Sequence, residues 1–308
     1  MPFASYSPVL LFCYNRKLVL EKTVASLIKN VGAEKTDLYI FSDGPKKFEE
    51  VTIISELREY LKSITGFKSV TILESETNNG LAKSIINGVS KILKIHDSVI
   101  VLEDDLLTSI NFLSFMNQGL EFYKNNSQVF SISGYSPPIE RSRNYKYEAY
   151  FFPRNSSHGW ATWSNRWQEV NWEVPDFDSF IKSKSERAKF NNGGSDLSRM
   201  LRRQIEGKIN SWSIRFCYHQ YKTNTYTVYP VVSKIQNIGF GPGATHTNTY
   251  NRYHTPIDMR ENLHFELPED VILDENFIGK FREFYSLKSR GIGKVKTLLY
   301  KAGLLKNK

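Results

Sequence analysis

The stretch Ser98-Val99-Ile100-Val101-Leu102-Glu103-Asp104-Asp105-Leu106 decides how the chain is read, because an apolar run ends there in three consecutive acids. A continuous apolar run, unlike an alternating one, suits a strand covered on both faces, as in the parallel sheet of an α/β domain. Such sheets bind ligands beyond the carboxyl ends of their strands, where these acids would sit. Adjacent carboxylates repel one another, so a bound divalent cation would relieve the repulsion and attract a phosphate. A solvated acidic turn, with Asp104 or Asp105 capping a following helix, is equally compatible with this stretch alone.

The chain before it favours the sheet. Pro8 to Tyr14 is an apolar run that ends at Asn15-Arg16, and Leu20, Val24, Leu27, Ile28 and Val31 then recur at helical spacing. Leu38 to Phe41 predicts a second strand, closed by the turn Ser42-Asp43-Gly44-Pro45. A helix over Ile53 to Leu61, a strand over Val70 to Leu73, and a helix carrying Leu81, Ile85, Val89 and Ile92 complete the alternation. Strand and helix in regular succession predict an α/β, doubly wound, mostly parallel sheet with helices on both faces. Arg16, Asp43, Lys83 and Glu103 to Asp105 then all lie at one edge of it. No glycine-rich dinucleotide fingerprint or phosphate-binding loop occurs in these turns, which argues against a nicotinamide cofactor or ATP hydrolysis.

Downstream, Phe112 to Tyr123 suits a helix and Val129 to Ser133 a strand, after which Tyr135 to Tyr150 reads as a long loop. Ser157 to Trp167 is the densest aromatic stretch, with Trp160, Trp163 and Trp167. Tryptophans fill cores, yet an indole face also stacks on a sugar ring. Asn191 to Gly194 reads as a flexible loop leading to a helix with Leu197, Met200, Leu201 and Ile205 on one side, and Tyr226 to Val232 as a strand. The glycine-rich segment Asn237 to His246 is placed to close over a substrate.

The 308 residues carry a formal charge of +9, but seven of those charges lie in residues 286–308, which hold no acid. The body is nearly neutral, so a nucleic-acid groove is not indicated. Two cysteines, Cys13 and Cys217, give neither a disulfide framework nor a metal-ligand spacing, which suits a reducing cytosol. Pro8 to Tyr14 is too short to span a bilayer and lacks the charged start of a signal peptide.

Together these residues resemble GT-A fold glycosyltransferases and, within that group, bacterial relatives of N-acetylglucosaminyltransferase I. The resemblance runs from about Pro8 to His246. It is carried by Glu103-Asp104-Asp105-Leu106 as a version of the DXD motif, by Phe152-Pro153 to Trp167, and by Pro230 to His246 with its Ser233. It implies a nucleotide-sugar-binding half over residues 1–134, an acceptor-side half of the same catalytic domain over 135–285, and a tail over 286–308. By position it makes Asp105 the ligand of a Mn²⁺ or Mg²⁺ ion, with His246 as an additional metal ligand. Glu103 and Asp104 would face the nucleotide or metal-bound water, Arg16 and Asp43 the uracil or its phosphates, and Lys83 the diphosphate. Trp160 and Trp163 would stack on the acceptor.

The implied activity is inverting transfer from a UDP-sugar, with N-acetylglucosamine as one candidate sugar, to a glycan or lipid-linked acceptor in bacterial surface-polysaccharide synthesis. Inversion requires a general base near the attacking hydroxyl. The family places an acid just before a Trp, whereas Ile209-Asn210-Ser211-Trp212 offers no carboxylate. Asp196 is the substitute base, with Asp176, Asp178 and Glu206 as rivals. A catalytically silent nucleotide-sugar-binding module and a sugar-phosphate nucleotidyltransferase remain as alternatives. In the tail, Ile292, Val295, Leu299 and Ala302 share a helical face among lysines, the pattern of a helix lying on an anionic membrane. A solvated or docked tail is the competing reading. The expected location is cytoplasmic, peripheral on the inner face of the cell membrane.

Overall fold

A computed structural model describes residues 5–140, 144–240 and 249–306. Its centre is an eight-stranded sheet built from β1 (Val9–Cys13), β2 (Asp37–Ser42), β3 (Ser69–Glu74), β4 (Ser98–Glu103), β6 (Val129–Ser133), β7 (Ala149–Phe152), β8 (Trp160–Trp163) and β9 (Tyr226–Pro230). Their order is β3-β2-β1-β4-β8-β6-β9-β7. Pairings β1–β2, β2–β3, β1–β4 and β6–β9 are parallel, while β8 runs antiparallel to both of its neighbours and β7 antiparallel to β9. The fold is the mixed α/β, mostly parallel architecture expected.

The apolar strands are buried on both faces, as their unbroken patterns require. Alternate residues of β1 and β4 point to opposite sides. Val9, Leu11, Ile100 and Leu102 pack with α1 (Lys17–Ile28), α2 (Val51–Lys62) and α4 (Phe112–Phe122). Leu10, Phe12, Val99 and Val101 pack with α3 (Leu81–Ile92), α5 (Ser164–Glu169) and α9 (Trp212–Thr223). The short helices α6 (Phe177–Lys182), α7 (Lys184–Phe190) and α8 (Leu197–Ile205) cluster around Phe180, Phe190 and Tyr218. The chain finishes with α10 (Glu275–Phe284), whose Phe277 and Phe281 cover Tyr150, Phe152 and Tyr229, and α11 (Leu287–Lys301), which buries no residue.

Two expectations need correction. No helix follows the acids directly: Leu106–Thr108 forms a short strand, β5, paired antiparallel with β10 (Ile235–Asn237), because Asp105 accepts the Ile238 amide at 2.9 Å. Asn191–Gly193 is a 3₁₀ turn joined to α8 by the Asn191 side chain on the Ser198 amide at 3.0 Å, not a loose loop. Strands from both sides of residue 134 alternate in one sheet.

Candidate active site

The strand order reverses direction at β1, which lies between β2 and β4, and there the crossovers leave a crevice at the carboxyl ends. β1 ends just before Arg16, whose carbonyl opens α1 by accepting the Leu20 amide at 3.0 Å. β4 ends in the acids. The Arg16 guanidinium pairs with Asp104 and lies 2.9 Å from Asp105 Oδ2. Thr23 Oγ1 donates to the Asp104 carbonyl at 2.8 Å, which fixes the acidic turn to α1. Asn237 Nδ2 reaches Asp105 Oδ1 at 3.4 Å. At Gly239 an added Cβ would collide with the Asp105 carboxylate, so the loop after β10 lies against the acid at glycine distance.

One guanidinium cannot balance three carboxylates. Burial, reinforced by the charges of Asp105 and Asp104, pushes Glu103 up to about 8, against the opposing pull of Arg16. Burial likewise pushes Asp104 up to about 6 although Arg16 pulls it down. The carboxylate donors are all oxygen, as a hard divalent cation requires, and Arg16 is the one positive charge paired with them among the described residues. Among the described residues no group of three or more His, Cys, Asp or Glu side chains is arranged as a self-sufficient metal cage. Alone the acids do not complete a cation site, and a hard cation bound there would draw its remaining ligands from an anion and water.

Asp43 reaches the same edge, but its carboxylate accepts the backbone amides of Gly44, Asn79 and Gly80 at 2.9–3.2 Å and so anchors the turn before α3. Lys83 is exposed on the first turn of α3. His246 lies outside the described residues.

A cavity of about 140 Å³ opens beside the acids, walled by Glu103, His158, Asn237 and the segment Asn210-Ser211-Trp212 at the start of α9. The segment expected to supply the base thus does face this space, with an amide and a hydroxyl in place of a carboxylate. A larger cavity, about 420 Å³, lies between Pro138–Glu140 and the two last helices and holds none of the acids.

Asp196 is not at the cavity. Its two oxygens bind Arg154 at 2.9 and 3.1 Å, and Arg154 in turn covers the Tyr285 ring at 4.0 Å. Burial alone would raise the Asp196 pKa, but the Arg154 charge and hydrogen bonds hold it below the usual range, which suits a structural ion pair and weakens a base. Among the rivals, Asp176 accepts from Tyr218 and Lys222, Glu206 pairs with Lys208, and Asp178 is exposed; none lines the cavity. The acceptor platforms are also corrected. Trp160 stacks on Trp212 at 4.4 Å and on Trp167 at 5.6 Å within the core. Trp163 donates to the Leu120 carbonyl at 3.1 Å beneath the Arg166 guanidinium. Both indoles are nearly inaccessible, so neither presents a face to a sugar. His158 and Asn237 reach the cavity wall without a signal in the sequence, since a single His or Asn carries no periodicity.

The sheet order and the acid-lined crevice at its switch point define a GT-A-type α/β fold. The sequence profile described as glycosyl transferase family 2 matches residues 9–184, more than half of the chain, and the chain belongs to that family. No curated protein matches it. Among solved structures it is similar to the mannosyltransferase PcManGT from Pyrobaculum calidifontis in complex with GDP-Man and Mn²⁺, at 12% identity and a TM-score of 0.33. That alignment covers 53% of this chain and 48% of the other, so the chain spans about half the length of the structure it matches.

Proposed function

We propose that the protein is a metal-dependent, inverting glycosyltransferase that uses a UDP-sugar, with N-acetylglucosamine as the candidate sugar. The acceptor is a hydroxyl of a glycan or lipid-linked molecule in bacterial surface-polysaccharide assembly, and the basic tail brings the enzyme to an anionic membrane on the cytoplasmic side. The observation that supports this best is the meeting of Arg16 with Asp104 and Asp105 beside a cavity that Glu103 also walls. The finer likeness to N-acetylglucosaminyltransferase I belongs to the same proposal and rests on the segment from Phe152 to Trp167.

In this reading Asp105 holds Mn²⁺ or Mg²⁺, with His246 as a candidate second ligand. The cation would neutralise charge developing on the departing diphosphate. Arg16, already between two acids, would bind the same phosphates, and Asp43 anchors the turn before α3, whose first turn carries Lys83 for the diphosphate. Glu103 and Asp104 face the nucleotide.

Incubation with Mn²⁺ and a panel of UDP- and GDP-sugars is expected to release a nucleoside diphosphate, and Asp105→Asn to slow the release by about 10²–10³-fold. Binding without turnover under every acceptor would mark a silent nucleotide-sugar-binding protein, the reading that the missing carboxylate at 209–211 favours. Pyrophosphate release would mark a nucleotidyltransferase.

A further inference from the structure

We propose that the His158 imidazole is the general base that accepts the proton of the attacking hydroxyl, an assignment that rests on the glycosyltransferase reading above. His158 stands two residues before Trp160, which pairs with Val101 in antiparallel β4 and β8, and so lies at the end of the sheet that carries the acids. Both side chains wall the same cavity. The facing wall, Asn210-Ser211-Trp212, cannot accept a proton near neutral pH. Asp196 and its rivals lie elsewhere, and Glu103 stands with the acids assigned to the donor. Among the described residues His158 is the remaining proton acceptor on the cavity wall.

The imidazole is also held for such a task. Tyr135 and Tyr253 meet it edge-on at 5.1 and 5.9 Å, and its Nδ1, shielded from solvent, has no hydrogen-bond partner among the described residues. Of the charged groups near it, Asp105 favours the imidazolium, yet burial outweighs it and keeps the ring's pKa below its usual value. The ring is thus neutral at pH 7, as a base must be. In the step itself the acceptor oxygen forms a bond to the anomeric carbon while its proton passes to an imidazole nitrogen. The anomeric carbon–oxygen bond to the diphosphate breaks, its electron pair leaves on the diphosphate oxygen, and the imidazolium later returns the proton to solvent.

The test follows nucleoside diphosphate release from the responding UDP-sugar with Mn²⁺ and water as acceptor. Wild type, His158→Ala and His158→Gln are compared between about pH 5 and pH 9, with folding and UDP binding checked by thermal melting. His158→Gln, which keeps much of the size and polarity, is expected to lower kcat by about 10²–10⁴-fold with the donor KM nearly unchanged, and to lose the acid limb of the pH profile. Added imidazole is expected to restore part of the rate of His158→Ala. A His158→Gln enzyme that keeps its kcat, keeps the acid limb, or changes only KM overturns the assignment while leaving the glycosyltransferase reading intact. A wild type that releases no nucleoside diphosphate from any sugar donor overturns that reading, and this assignment with it.

Discussion

Arg16 is the only cation paired with the acidic turn among the described residues, and burial, with the charges of Asp105 and Asp104, raises the Glu103 pKa well above the carboxylate range against its pull. A carboxyl whose folded pKa is raised stabilises the fold fully below its unfolded value, and that contribution is lost as pH climbs through the folded value. The metal-free protein is therefore expected to melt several degrees lower at pH 9 than at pH 5, and Glu103→Gln to flatten the dependence. A melting curve that rises over this range in the wild type would contradict the buried, charge-deficient cluster. Gly239 gives a second expectation at this scale. Its missing Cβ lets the loop lie against Asp105, so Gly239→Ala should displace the carboxylate and weaken Mn²⁺ binding in the presence of UDP, measured by calorimetry, with little loss of overall stability.

At the scale of elements, the segment 258–265 is tied to Lys234, just before β10, by charge. Lys234 and Asp258 form an almost fully buried ion pair, Arg260 adds a second contact to Asp258 at 2.8 Å, and Phe265 faces the ammonium at 4.3 Å. Removing Asp258 leaves the buried Lys234 ammonium uncompensated, so Asp258→Leu should cost about 3–5 kcal/mol in a denaturant titration. The strands β1 and β4 and the acids at the end of β4 were legible because a doubly covered strand writes its burial as a continuous apolar run. The position of β8 was not. An antiparallel strand inserted between β4 and β6 is set by pairing with residues about sixty positions earlier and thirty earlier, which no local pattern records. Its tryptophans read as a sugar platform for the same reason, since composition cannot tell a buried indole from an exposed one. His158 likewise carries no local signal, because its place on the cavity wall comes only from the folded chain.

For the whole molecule, the two last helices divide the work of the C-terminal region. α10 inserts Phe277 and Phe281 into the aromatic layer over β7 and β9. α11, capped by Ser286, leaves Leu287, Ile292, Val295 and Leu298 largely exposed. Its ties to the body are few, among them Arg290 to the Ser195 hydroxyl at 2.9 Å and Lys296 over the Tyr250 ring at 5.1 Å. Among the described residues no helix is long and apolar enough to cross a membrane. Exposed apolar side chains beside Lys288, Lys294 and Lys301 instead match an interfacial helix, each basic residue near an anionic surface contributing about 1 kcal/mol. The full chain is expected to sediment with vesicles containing phosphatidylglycerol, less so as salt screens the charge. A chain ending at Tyr285 should stay in solution while still releasing nucleoside diphosphate, because no residue of the acid cluster or its cavity lies in the tail. Paired substitutions Val295→Asp and Leu298→Asp separate the apolar from the electrostatic contribution: they keep every lysine, so sedimentation as strong as wild type would mean that charge alone holds the protein to the surface. Equal sedimentation of the shortened chain would remove the tail from the membrane reading and place the attraction on the body, whose near-neutral charge offers little to supply it.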